Sequence, residues 1–457
     1  MARIIREGKF QPQSNSGGIT RITVGGFKSI VQEHSIEIKP LTILAGANSS
    51  GKSSMMQPLL LLKQTLSSQY DPGALLLDGP NVKFTEDDQL LSRKGGGKTV
   101  NDFHVGIKLG SEIVLTIYFM QSKNKGKGFE VERTIHNFGK QEYPLYRGMS
   151  QDEIKVVLTD ILAPFQPLLS DAERERLLDQ INHPQNAGVR PVQYRCFLTL
   201  DITALGFLLP HQLMNNELII GDHIRQMLHL PGLRGNPVRD YSATGTGPEF
   251  PGTFEYYVAS IIEQWQLDND KQRLTGLFRD LARLALTKKV VARRKNATAI
   301  ELLVNRFLQD DKEDMVSIAD VGIGVSQALP VVVALHTADP GQLVYIEQPE
   351  IHLHPRAQNT MAEVLADAAK EGKRLVVETH SNLLLRGIQT AVAEGKLPPE
   401  MVKLHWFTQQ KDGSTRIDST DLDEVGAFGS WPEDFHTVTL QSESRYIDAA
   451  EARLMGE

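Results

Sequence analysis

Near the N-terminus the residues Gly46-Ala47-Asn48-Ser49-Ser50-Gly51-Lys52-Ser53 fit the pattern G-x-x-x-x-G-K-[ST], with Ser54 directly after. The spacing serves phosphate chemistry. Glycines let successive backbone N–H groups wrap phosphate oxygens, and a helix N-terminus adds positive potential. Lys52 is placed to reach β and γ phosphates and Ser53 to ligate magnesium, so a nucleoside triphosphate with Mg2+ is expected, and the P-loop alone leaves open which one. The context agrees, since the apolar run LTILA reads as a buried strand and MMQPLLLLKQTLSS as a helix.

A second constellation lies at LVYIEQPEIHLHP, Leu343 to Pro355. Four apolar residues run into Glu347, as a buried parallel strand does when its C-terminal end meets a metal, which makes Glu347 the expected magnesium-side carboxylate, acting through water. The position after it, where a second acid would activate water, holds Gln348. Three readings stand. The transition state of phosphoryl transfer is loose enough for a glutamine to orient the water. Alternatively Glu350, beyond Pro349, is the general base. Or hydrolysis is nearly abolished and ATP acts as a clamp.

The next apolar run, RLVVE, leads to Thr379-His380-Ser381 and brings the His380 imidazole to the same sheet edge, within reach of a γ-phosphate. Between these motifs, Asp320-Val-Gly322-Ile-Gly324-Val-Ser326-Gln327 opens a helix and forms a second anion-binding terminus. Gln89, in DDQLLS, is a candidate for a loop glutamine that senses magnesium, against the plainer reading of a surface polar residue. His352-x-His354 has the spacing of half a zinc site, but no third and fourth ligand follow at standard spacing.

The elements that must position these residues divide the chain into four segments. Residues 1–150 hold the P-loop and antiparallel strands, including a hairpin at Gly110-Ser111. Residues 151–285 read as mainly helical, with a capping box at Ser170-x-x-Glu173 and one strand at VQYRCFLTLDI. Residues 286–400 carry a basic hairpin, the second glycine-rich motif, the acid strand and His380. Residues 401–457 form an acidic C-terminal segment; from Asp412 onward 11 acids face 3 basic residues.

Composition bounds the rest. With 457 residues, 40% of them hydrophobic and 23% charged, the chain can bury a large core. A single cysteine, Cys196, excludes an internal disulfide framework, and the polar start and the lack of a long apolar run predict a cytoplasmic protein without a membrane span. The net charge of −7 argues against an all-over basic coat for nucleic acid, but RKGGGK, KNKGKG and KKVVARRK are local basic stretches. The last, Lys288 to Lys295, is read either as a solvated face or as a track for a nucleic-acid backbone. Arg234 and Arg239 in PGLRGNPVRDY reach a phosphate or partner, or else staple that loop to the core.

The order of GANSSGKSS, DVGIGVSQ, IEQPEIHLHP and ETHS resembles the ABC-class, AAA-type ATPases of the RecF, SMC and OLD (overcoming lysogenization defect) kind. The motifs cover about residues 19–67 and 320–382; FKSI at Phe27 looks like the family's opening strand, and PGLRGNPVRDY like a loop of its stand-alone members. The resemblance implies an α/β fold, an ABC-type ATPase head with a mixed-sheet P-loop core, an antiparallel β lobe and a helical insertion. It further implies a homodimer that sandwiches ATP, with Asn48 and Lys52 acting in cis, Ser326 in trans and His380 as switch histidine. The segment with Trp431 to Phe435 is similar to an uncharacterised C-terminal piece of such ATPases, and no toprim-like acidic cluster follows. The chain departs from the family pattern in GVSQ for LSGGQ and in Glu347-Gln348 for an aspartate–glutamate pair. By this resemblance a slow ATPase senses for, scaffolds or restrains a nuclease-like effector encoded nearby in anti-phage defence. The alternative it implies is a DNA-holding clamp in repair or recombination.

Overall fold

A computed structural model describes residues 17–429 except 95–97, 112, 124–127, 139–140, 163–170, 173–174, 176–189, 202–215 and 307–313, together with 444, 445, 447 and 450. The capping box at Ser170 and Glu173 and the segment from Trp431 to Phe435 lie outside the described residues.

The site is organised by a six-stranded sheet flanked by helices. The strands are β1 (Leu41–Gly46), β2 (Leu228–Leu230), β3 (Leu343–Glu347), β4 (Arg374–Thr379), β5 (Val402–Gln409) and β6 (Thr415–Thr420), in the spatial order β2-β3-β4-β1-β5-β6. The first five are parallel and β6 closes the edge antiparallel to β5. Strands buried on both faces need unbroken apolar runs rather than alternation. LVYI and LVV supply them: Leu343 to Ile346 and Leu375 to Val377 are all at most 2% exposed.

The two faces feed two cores. Leu41, Ile43, Val344, Ile346, Leu375 and Val377 face helices that include α2 (Ile323–Thr337), α3 (Pro355–Lys370) and α4 (Asn382–Ala393). Leu44, Tyr345, Val376 and Phe407 face α1 (Lys52–Leu66) and a second, antiparallel six-stranded sheet. That second sheet runs from Ile19–Gly25 through Asp102–Leu109, Ile113–Gln121 and Phe129–Phe138, turning at Gly110 as the sequence predicts. A third sheet holds the basic hairpin Val290–Asn296 and Ala299–Asn305. Among the described residues no helix is long and apolar enough to cross a membrane.

Two elements differ from the sequence reading. VQYRCFLTLDI is not one strand but a tight antiparallel hairpin, Arg190–Tyr194 with Phe197–Asp201. Arg195 at its turn has φ +51°, and its guanidinium is tied to the carbonyls of Thr65 and Ser68 at the end of α1. The central sheet also draws on all four sequence segments: β2 comes from the middle of the supposed helical region, and β5 and β6 come from the acidic C-terminal one.

Candidate active site

The C-terminal ends of β1, β3 and β4 meet at one edge, and every candidate of the P-loop and acid motifs is attached there. β1 runs into a turn held open by glycines in the left-handed region, Gly46 at φ +145° and Gly51 at +100°. A side chain at Gly51 would bring its Cβ to 2.1 Å from Thr415 Oγ1 and 2.8 Å from Ser29 Oγ, so a larger residue there strains the turn and displaces those hydroxyls. Thr415, the first residue of β6, donates its hydroxyl to Ser50 O at 2.9 Å. The C-terminal hairpin thus buttresses the P-loop from below, while Ala47, Asn48 and Ser49 form its exposed rim and Ser53 and Ser54 lie half-buried at the start of α1.

Lys52 is 3% exposed, and its ammonium folds back over the turn to donate to Gly46 O (3.1 Å) and Ala47 O (2.8 Å). Burial pushes its pKa down, opposed by the charge of Glu378. Ser53 Oγ lies 3.1 and 3.0 Å from the two oxygens of Glu378. The sequence pairs Ser53 with Glu347 at the metal; here the carboxylate in contact with the serine is Glu378, on β4.

Glu347 and Glu378 are in register on adjacent parallel strands, so their side chains leave the sheet side by side. Glu347 is held from the other direction, Oε1 at 3.1 Å from His229 Nε2 and Oε2 accepting from Gly232 N at 3.2 Å. His229 itself comes from β2 and stacks flat on Tyr345, the rings 5.5 Å apart and 8° from parallel. Tyr345 Oη donates to Glu378 Oε2 at 2.9 Å. The surroundings push the two acids apart. Burial raises Glu347 but the His229 bond and Gly232 N–H more than offset it, and the carboxyl titrates below the usual range. Glu378 is raised by burial and then by the Glu347 charge, against the pull of Lys52.

Gln348 follows in the left-handed region, φ +46°, a conformation costly for a residue with a side chain. Its N–H donates to Glu378 O at 2.7 Å, pinning the turn to β4. Glu350 lies 8% exposed beneath it; Oε1 accepts from Thr379 Oγ1 (2.6 Å) and from His380 N (3.0 Å), and Oε2 is buried without a hydrogen-bond partner. The His380 imidazole sits near Lys52 and the Gly46 backbone; burial, then the Lys52 charge, lowers its pKa and favours the neutral ring.

The second glycine-rich motif opens α2, with Gly322 as its N-cap and Gly324 in its first turn. Ser326 Oγ donates to Ile323 O at 2.8 Å, and the serine lines a cavity of about 630 Å³ shared with Arg234, Tyr241, Glu255 and Tyr256. Its hydrogen bond stays within its own helical turn, and the cavity it lines is bounded chiefly by residues 234–258 rather than by the P-loop. Arg234 staples rather than reaches out. It is 4% exposed, donates to Gln327 O (3.1 Å), Glu347 O (2.6 Å) and Gln348 O (3.2 Å), and burial pulls its pKa down to about 10. Gln327 answers with its amide on Arg234 O (3.0 Å) and Gly235 O (2.8 Å). Arg239 is spent on a two-pronged bridge to Asp320.

Other candidates are not gathered at this edge. Gln89 is exposed and exchanges both amide groups with Thr85, at 3.0 and 3.1 Å, as a surface polar residue does. His354 caps α3 by accepting from Arg356 N at 3.4 Å. Among the described residues no group of three or more His, Cys, Asp or Glu is placed to hold a metal. In the basic hairpin Arg293, Arg294 and Lys295 pair with Glu301, Glu263 and Asp240. Those pairs leave less charge free for phosphate than the sequence suggests.

Glu378, His229, Arg234 and Thr415 are the site residues that motif reading misses or underrates. Glu378 had a signal, an acid ending the buried run LVV; His229 had none, because a three-residue strand shows no period.

The family described as "AAA domain, putative AbiEii toxin, Type IV TA system" matches residues 41–386. No curated protein matches the chain significantly. Among solved structures, the chain is similar to an SMC head bound to the C-terminal winged-helix domain of ScpA, at 12% identity over 89% of this chain and 98% of that one, with a TM-score of 0.46. It is similar to an SMC head with an extended coiled coil bound to the C-terminal domain of ScpA, from Pyrococcus furiosus, at 11% identity over 88% and 96% with a TM-score of 0.45. The SMC head domain of Thermotoga maritima matches at 11% identity over 89% and 100%, with a TM-score of 0.38.

Proposed function

The chain belongs to the AAA-domain family that its residues 41–386 match, and on that footing we propose a slow ATPase that closes in pairs around ATP to control a partner protein. An ATPase of the AAA type binds ATP with a divalent cation, typically magnesium. The donors present are Ser53 and the carboxylates Glu347 and Glu378, a hard all-oxygen set that suits it. When bound, magnesium neutralises charge developing on the β and γ phosphates. The chain's own residues do the rest. Backbone N–H groups at Asn48 to Gly51 and the N-terminus of α1 receive the phosphates, and Lys52 exchanges its two carbonyl partners for phosphate oxygens.

Water activation falls to Glu350, by acceptor count. Both oxygens of Glu347 are taken by His229 and Gly232, and those of Glu378 by Ser53 and Tyr345, whereas Glu350 binds His380 N and Thr379 through Oε1 and keeps Oε2 unspent. Gln348, an amide, orients the water without taking its proton. A deeply buried base reached only when the site closes suits slow turnover.

The observation that carries the reading is Lys52 folded onto the P-loop carbonyls of Gly46 and Ala47, at the same sheet edge as Ser53 and Glu378, which are in hydrogen-bond contact. Dimerisation is supported by the position of Ser326, which lines a cavity bounded chiefly by residues 234–258 rather than by its own P-loop, as a site completed by a second copy requires. The AbiEii toxin in the family's description is compatible with a role in anti-phage defence, in which the ATPase senses for or restrains an effector such as a nuclease. Phosphate release and gel filtration with and without ATP test this for wild type and Lys52→Ala. The expected result is ATP-dependent dimerisation and turnover lost in the variant; equal turnover in both would sink the reading.

A further inference from the structure

Glu378 is the buried acid whose surroundings ask for more than the structure's own cations supply. It is 7% exposed at the end of an apolar strand, and a carboxylate there is costly unless its charge is compensated. Glu347 stands next to it in register and adds a second negative charge. Lys52 is the cation whose charge bears on Glu378, and its ammonium is bonded to carbonyl oxygens of the P-loop. Counting Glu350 and Arg234 as well, three carboxylates against two cations leave a net negative edge, which a divalent cation offsets.

The hydrogen bonds say which acid would meet that cation. Ser53 Oγ, the hydroxyl that the P-loop offers to a metal, is within 3.1 Å of both Glu378 oxygens. Tyr345 Oη fixes Glu378 Oε2 from behind, so the carboxylate is aimed at the serine rather than left to choose a rotamer. Glu347, by contrast, is turned toward β2 by His229 and Gly232.

We propose that Glu378, on the strand that leads to His380, is the carboxylate that holds magnesium together with Ser53, and that Glu347 supports the metal from behind through its neighbours. This rests on the ATP-binding reading above and changes which acid does the work in it. The Asp-for-metal position of the motif is then occupied by a positioning acid, and the metal ligand is supplied one strand over.

The test uses the full-length protein and a fluorescent ATP analogue whose affinity is measured in EDTA and in Mg2+. The ratio of the two affinities reports what the metal contributes at the site, independently of turnover. Glu378→Gln is expected to cut that ratio by about 10–100-fold, with Glu347→Gln cutting it less. Glu378→Asp, which keeps a carboxylate, recovers part of the loss. If Glu378→Gln keeps the wild-type ratio, or Glu347→Gln loses it and Glu378→Gln does not, the proposal is overturned. Wild type binding ATP without any magnesium dependence overturns it too, whereas wild type failing to bind ATP at all overturns the ATPase reading itself. Should Glu378→Gln not fold, Tyr345→Phe carries the test: it releases Glu378 without removing its charge, and an unchanged ratio there counts against the assignment.

Discussion

Replacing Glu350 by Gln separates catalysis from architecture at the acid edge. The amide is isosteric, and its carbonyl oxygen can still accept from Thr379 Oγ1 and His380 N, at 2.6 and 3.0 Å in the wild type. Turning a charged acceptor into a neutral one weakens those two bonds by about 1 kcal/mol each, so stability falls by roughly 2 kcal/mol and the fold survives. Removing the proton acceptor is the larger effect. A positioned general base contributes about 10²–10⁴ in rate, or about 2.7–5.5 kcal/mol of barrier, and the loose transition state of phosphoryl transfer points to the lower end, about 10². Phosphate release at saturating ATP gives kcat, nucleotide titration gives affinity, and thermal unfolding checks the fold. The expectation is kcat down about 100-fold with ATP affinity within about threefold. A kcat within about threefold of wild type refutes the acceptor-count argument. If Gln348→Glu raises turnover in the same series, the water is governed at position 348 instead.

Two further substitutions probe how the edge is built. Gly51→Ala forces a Cβ to within 2.1 Å of Thr415 Oγ1 at a φ of +100°, a strain of about 1–3 kcal/mol; it should lower the unfolding temperature and weaken ATP binding together, and wild-type values for both would contradict the buttressing role of β6. His405, in β5, is held neutral, with Nε2–H donating to Glu37 O at 2.9 Å and Nδ1 accepting from Ser419 at 2.7 Å; burial chiefly lowers its pKa to about 4. The folded pKa lies below the unfolded one, so between about 6.5 and 4 the unfolded chain takes up a proton that the folded chain refuses, and stability falls with pH by up to about 3 kcal/mol across that window. Urea unfolding at pH 7.5 and 4.5 should show a shallower acid loss for His405→Gln, and parallel losses in both proteins would contradict the linkage.

The parts of this molecule that sequence reads well are those in which one residue type has one physical use. A P-loop must be glycine, lysine and hydroxyl between strand and helix, and a strand buried on both faces needs an apolar run such as LVYI or LVV, which is why Lys52 opens α1, Glu347 ends β3 and His380 follows β4. What escaped was set by partners distant in sequence. His229 is a lone imidazole in LHL until β3 comes to lie beside it, and β5 was masked by the acid count of the segment that contains it. The turn at Arg195 interrupts no apolar pattern, so one strand and two look alike in VQYRCFLTLDI until Arg195 adopts a positive φ. Glu378 was in plain view within ETHS, but an acid beside a motif histidine reads as context for the histidine. Only the register of β3 against β4 shows that it is a neighbour of Glu347.

The same distance in sequence hides Arg234, whose hydrogen bonds tie the two halves of the site together. Its guanidinium holds Gln327 O at the start of α2 and the carbonyls of Glu347 and Gln348 at the acid turn, and Gln327 grips the arginine's own backbone in return. A planar fork with five donors can span three carbonyls, whereas an ammonium on a flexible stem cannot fix their relative orientation. Any shift of the Gln348 backbone as the acids engage a metal nucleotide must therefore pull on the helix that presents Ser326, or break charge-assisted bonds worth about 1.5–3 kcal/mol each in a buried setting. In a dimer, with Ser326 facing the partner's nucleotide, that linkage would make occupancy of one site felt at the other. On the proposed reading, a rigid coupling of this kind, with the amide of Gln348 where an acid is expected, would favour holding a state over rapid cycling, as control of a partner demands.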